Sequence, residues 1–76
     1  MARAFVRVCI APAYEERIRD TLRTEPEVVS ADITCGEQDL MAVVKGESFE
    51  EILNTVVTKI RPLQGVKITW TNFILE

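Results

Sequence analysis

The chain is 76 residues long, with 9 basic and 12 acidic side chains, no histidine and a formal net charge of −3. That length allows one domain, and a domain of this size buries only about 60% of the surface its unfolded chain exposes. Two cysteines without any histidine do not make a structural zinc site, and nucleic-acid binding draws on clustered Lys and Arg that a net acidic chain lacks.

The first predicted strand is 3–10, RAFVRVCI, rich in apolar and β-branched residues and stopped by Pro12. From Ala13 to Thr24 the residues Tyr14, Ile18 and Leu22 recur every four positions among Glu and Arg, the stripe of an amphipathic helix. Its basic residues Arg17, Arg19 and Arg23 alternate with Glu15, Glu16 and Asp20, which makes a solvated face rather than a phosphate-binding patch. Glu25-Pro26 ends it, because a residue before proline is pushed out of the helical region.

Residues 28–34 place Val29, Ala31 and Ile33 on one face and Ser30, Asp32 and Thr34 on the other, the period of a half-buried strand. After Cys35-Gly36-Glu37-Gln38-Asp39, the run LMAVVK at 40–45 forms a third strand and completes a hairpin. Ser48 with Glu51 three residues on has the spacing of a capping box, and Phe49, Ile52, Leu53, Val56, Val57 and Ile60 carry a second helix as far as Arg61-Pro62. Gly65 then turns the chain into a fourth strand, 66–75.

The order strand, helix, strand, strand, helix, strand, with right-handed crossovers, is that of the α+β ferredoxin-like fold: a four-stranded antiparallel sheet with both helices on one face. Residues 1–76 therefore form a single domain. The other face lacks cover, yet strands one, three and four carry large apolar residues on both sides. An antiparallel sheet with one wet face alternates cleanly between apolar and polar, so a second copy packed sheet to sheet is expected, with Phe5, Arg7, Cys9 and Phe73 in the contact.

Catalysis finds little support in these residues. There is no histidine for base work near neutral pH, no Gly-rich phosphate loop, and no Ser or Cys with an activating partner. No cofactor or metal is expected, and Cys9 and Cys35 read as reduced, buried and inert. With no run of about 18 apolar residues and no export signal, a cytoplasmic, membrane-free protein is expected. The hairpin loop stands out: a turn opened by Gly36 presents N–H groups to a carboxylate while Asp39 accepts from an ammonium, a pairing suited to an amino acid's zwitterionic head.

The segments AFVRV (4–8), TCGEQDL (34–40) and GVKITWTNFILE (65–76) resemble the RAM domain, the effector-binding half of the Lrp/AsnC transcription regulators, over nearly the whole chain. The most specific pieces are Gly36 and Asp39 of a G-x-x-D loop, and Gly65-Val66 with Thr69 and Thr71 of a G-V-x-x-T-x-T strand. The resemblance implies sheet-to-sheet dimers of the dimeric α+β barrel type, assembled into octameric or decameric rings. It also implies an amino acid or related metabolite held between dimers by Gly36, Glu37, Gln38 and Asp39, with hydroxyls from Thr69 and Thr71. The regulators carry a helix-turn-helix before this domain, whereas Met1 here stands two residues before the first strand. A stand-alone regulator of amino-acid metabolism without DNA contact is therefore expected, with a full-length Lrp/AsnC regulator as a candidate partner. The alternative is a small dimeric α+β-barrel enzyme.

Overall fold

The computed structural model describes residues 1–36 and 38–75. It contains β1 (Ala2–Ile10), α1 (Glu15–Arg23), β2 (Val28–Ile33), β3 (Leu40–Gly46), α2 (Phe49–Thr55), which continues as a π-helical segment Val56–Ile60, and β4 (Val66–Phe73). The strands form one sheet in the order β2-β3-β1-β4, with every neighbouring pair antiparallel. This is the expected ferredoxin-like topology.

The core lies between one face of the sheet and the helices. Alternation along β1 buries Ala4, Val6, Val8 and Ile10, and the matching positions Leu40, Ala42 and Val44 of β3 lie beside them. Ile18 and Leu22 of α1, with Ile52, Val56 and Ile60 of the second helical stretch, close over this layer.

Local chemistry sets the ends of both helices. Ala13 adopts φ 78, which a helix does not allow, so α1 starts at Glu15 rather than at Ala13. Ser48 caps α2 as its spacing predicts, its hydroxyl accepting from the Glu51 N–H at 3.2 Å. The Glu51 carboxylate reaches one residue further back than a capping box requires and accepts from the Glu47 N–H. Past Thr55 the turn widens: the Arg61 N–H donates to the Val56 carbonyl at 2.9 Å, a bond five residues long, and Pro62 follows.

Two register shifts reassign faces that simple parity predicts. One, between Val28 and Ser30, turns Val28 toward the core and leaves Val29 exposed; Ile33, at the far end of the edge strand β2, is exposed as well, so Ala31 alone of the triad Val29, Ala31 and Ile33 is buried. The other, between Cys9 and Ile10, pairs Ile10 with Val66 and Cys9 with Ile68, placing Val66 on the helix side and Ile68 on the open side.

Candidate functional site

The hairpin loop joins β2 to β3 at the end of the sheet where β1 finishes. Pairing of Val8 with Leu40 is extended one step by the Asp39 N–H, which donates to the Val8 carbonyl at 2.9 Å. Here the strands part, and the Ile10 N–H donates instead to Asp39 Oδ2 at 2.7 Å. The loop is closed at its base by the Thr34 N–H on the Asp39 carbonyl and the Thr34 hydroxyl on the Gln38 carbonyl. Asp39 is thus held by both its backbone and its side chain, with its second carboxylate oxygen outside the Ile10 bond.

The tip is open by contrast. Gly36 has φ 124, a conformation few other residues adopt, and a Cβ placed there would meet no atom within 4 Å. Cys35 beside it is exposed and Cys9 is half-buried, neither joined in a disulfide, which corrects the expectation that the cysteines are buried. Glu37 lies outside the described residues.

Thr69 and Thr71 sit on β4 opposite Val8 and Val6, so both are half-buried on the helix side of the sheet. Thr69 and Asp39 therefore flank the same end of β1 from its two sides, while Thr71 is two residues further in. Below Thr69 lies a concavity of about 420 Å³ lined by Arg61, Val66, Lys67, Ile68 and Thr69. Sequence reading missed its two cations; Arg61 and Lys67 come together because the π turn and the Gly65 turn bring the end of the second helix to the start of β4.

On the opposite side of the sheet, Phe5 is exposed and Arg7 and Cys9 are half-buried, as parity predicts. Their neighbours there are Met41 and Val43 of β3 and Ile68, Trp70 and Asn72 of β4. The Arg7 guanidinium lies over the Trp70 ring, 5.2 Å from its centroid, and the Arg7 Nε is buried with no hydrogen-bond partner. Phe73 does not belong to this face. It pairs with Ala4 on the helix side and stacks on Phe49, ring centroids 4.2 Å apart, which corrects its expected place in the sheet-face contact. Trp70 takes that place on the open face.

Among the described residues, no three His, Cys, Asp or Glu side chains gather as a metal site, and no helix is long and apolar enough to cross a membrane. The Glu27 pKa is lowered mainly by its hydrogen bond from Lys59, and that of Lys59 is raised by the same bond. Arg19 is raised by its bond to Asp20. None of these belongs to the loop.

A family model described as the Lrp/AsnC ligand binding domain matches residues 3–76. FFRP-DM1 superposes with a TM-score of 0.93 at 27% identity, over 99% of this chain and 100% of that one. The hypothetical protein PHS023 from Pyrococcus horikoshii gives 0.91 at 30% identity, over 100% of this chain and 93% of that one. The transcriptional regulator NMB0573 from Neisseria meningitidis, solved as its L-Met complex, gives 0.85 at 26% identity over 99% of this chain, which spans 50% of the regulator. A search of curated proteins found no match.

Proposed function

The chain belongs to the Lrp/AsnC ligand binding domain family, and from that premise we propose that it is a non-enzymatic, cytoplasmic regulatory module that binds an amino acid or a related metabolite between dimers, without itself contacting DNA. The observation that carries the reading is the hairpin loop, which is anchored at Asp39 through the Ile10 N–H and open at Gly36. A rigid base with an accessible tip is what a small zwitterion requires: backbone N–H groups toward its carboxylate, and the second Asp39 oxygen toward its ammonium. Gln38 borders the ligand, and Thr69 and Thr71 supply hydroxyls from β4. The L-Met complex of the Neisseria meningitidis regulator supports an amino acid as the ligand class.

The open sheet face, with Phe5, Arg7, Cys9 and Trp70, forms the dimer. A partner sheet removes its apolar side chains from water and offers an acceptor to the buried Arg7 Nε. A ligand seated between dimers binds the assembled state better than the separated one and shifts the equilibrium toward assembly, typically by about 1–3 kcal/mol. That shift is the signal a partner such as a full-length regulator of this family would read.

Titration calorimetry with the twenty amino acids tests the reading, and at least one binds. Asp39→Asn retains an acceptor for Ile10 and so keeps the fold, but it loses the charge facing the ammonium and with it the binding. Asp39→Ala also strands the Ile10 N–H, at a further cost of about 1–3 kcal/mol in stability. Absence of heat with every amino acid, or unchanged affinity in Asp39→Asn, overturns the proposal.

A further inference from the structure

The concavity beside Thr69 gathers positive charge that the fold does not use. Elsewhere the cations are engaged: Arg19 pairs with Asp20, Arg23 with Asp32 and Lys59 with Glu25 and Glu27, while Arg7 and Arg17 lie over the rings of Trp70 and Tyr14. Arg61 and Lys67 are exposed and have no ion pair or side-chain hydrogen bond among the described residues, yet both line this one concavity of about 420 Å³ with Val66, Ile68 and Thr69. None of these lining residues is acidic. Two like charges held in one place repel each other, and an anion between them removes the repulsion.

The backbone fixes both cations at its rim. The Arg61 N–H donates to the Val56 carbonyl at 2.9 Å, and the Leu63 N–H to the Ile60 carbonyl and the Val66 N–H to the Leu63 carbonyl, each at 3.1 Å. These bonds hold the connection from the second helix to β4, and they occupy the Val56 and Ile60 carbonyls, helix-end acceptors that would otherwise repel an anion. Lys67 stands in the register shift: Ile10 pairs with Val66 and Cys9 with Ile68, so Lys67 is the extra residue, without a partner on β1. The strand that carries it is an edge of the sheet. Because the Ile74 N–H donates to the Arg3 carbonyl, the alternation of an antiparallel ladder turns the even-numbered N–H groups of β4 toward β1 and that of Thr69 outward. A guanidinium, an ammonium, a hydroxyl and a backbone N–H thus meet at one edge.

We infer that this concavity binds a small dianion, either a phosphoryl group or a compact dicarboxylate. The Arg61 guanidinium, whose planar fork matches two oxygens of one group, takes one charge and the Lys67 ammonium takes the other. The Thr69 hydroxyl and N–H donate to a remaining oxygen. Two cations without a neighbouring acid balance two negative charges, which selects a dianion over a single carboxylate. The volume of about 420 Å³ lies within the range of roughly 300–1,000 Å³ usual for small-molecule sites. The inference rests on the β4 edge alone, needs neither Gly36 nor Asp39, and holds whether or not the hairpin loop takes an amino acid.

Titration calorimetry of the full chain with inorganic phosphate, malonate and acetate tests it, at mildly alkaline pH, where phosphate is a dianion. Phosphate or malonate saturates the protein in the millimolar range, and acetate, with a single charge, binds about tenfold more weakly, the equivalent of one charge-assisted hydrogen bond. Saturation by phosphate alone assigns a phosphoryl ligand, and by malonate alone a dicarboxylate. Arg61 and Lys67 are exposed, so Arg61→Gln and Lys67→Gln keep the circular dichroism of the wild type while each weakens the dianion by about tenfold. Lys45→Gln, which removes an exposed cation outside the concavity, leaves the affinity unchanged, as does Asp39→Asn. Saturation by neither dianion overturns the inference, and so does acetate binding as tightly as they do. Equal weakening by Lys45→Gln reveals attraction to the chain's charge at large rather than a site, and loss in Asp39→Asn moves the anion to the hairpin loop; either result also overturns it.

Discussion

Gly65 and Gly36 both have positive φ, at 98 and 124, yet their surroundings differ. A Cβ at Gly65 would stand 2.6 Å from both Cβ and Cγ of Tyr14, whereas one at Gly36 would touch nothing within 4 Å. Gly36→Ala therefore carries only backbone strain, on the order of 1–3 kcal/mol. Gly65→Ala carries comparable strain and adds overpacking of about 1–3 kcal/mol against Tyr14. The Tyr14 ring has little room to retreat, because the Ala11 N–H donates to the Gly65 carbonyl at 2.7 Å and locks the two turns together. Urea unfolding should place the Gly65→Ala midpoint well below that of Gly36→Ala; coincident midpoints would refute the steric account. The contrast gives the two glycines different roles: one permits a close approach inside the fold, and the other keeps the tip of the loop clear.

At the scale of elements, Lys59 ties the π-helical segment to the entry of β2 through Glu27 at 2.7 Å and Glu25 at 3.3 Å. The bond lowers the Glu27 pKa from 4.5, so its contribution to stability is complete above that value and is lost as pH falls through the folded-state pKa. It raises the Lys59 pKa from 10.5, so that contribution is complete below 10.5 and is lost as pH rises past it. Thermal melts should show the pair's contribution level between those values and declining on both sides, and Glu27→Gln should flatten the acid decline. An acid limb identical to that of the wild type would sink this assignment. The tie joins residues 32 positions apart, and no local pattern announces it. The six elements themselves were legible, because Pro12, Pro26, Gly36, Ser48 and Pro62 punctuate an apolar rhythm. The site was legible as a loop, but Asp39 also serves as an internal acceptor for Ile10, which depends on where β1 and β3 part. Parity grouped Thr69 and Thr71 with Phe73 and set Trp70 on the other face, but which group is open follows only from the β1–β4 register, which pairs Phe73 with buried Ala4 and Trp70 with Arg7 and so gives the open-face place to Trp70.

The whole molecule is small and leaves apolar side chains exposed on two opposite surfaces, Phe5, Ile68 and Trp70 on one and Phe49, Leu53 and Val57 on the other. A lone protomer of this size has little stability in reserve, whereas any association confined to the folded state raises stability by mass action. The melting temperature should therefore climb as protein concentration is raised over about 100-fold. Trp70→Asp places a carboxylate in the sheet contact and removes the ring beneath the Arg7 guanidinium. It should melt lower and lose most of that climb. A bound amino acid that joins dimers should steepen the wild-type dependence. A melting temperature independent of concentration in the wild type would mean that the folded protomer stands alone, and both apolar surfaces would then face water.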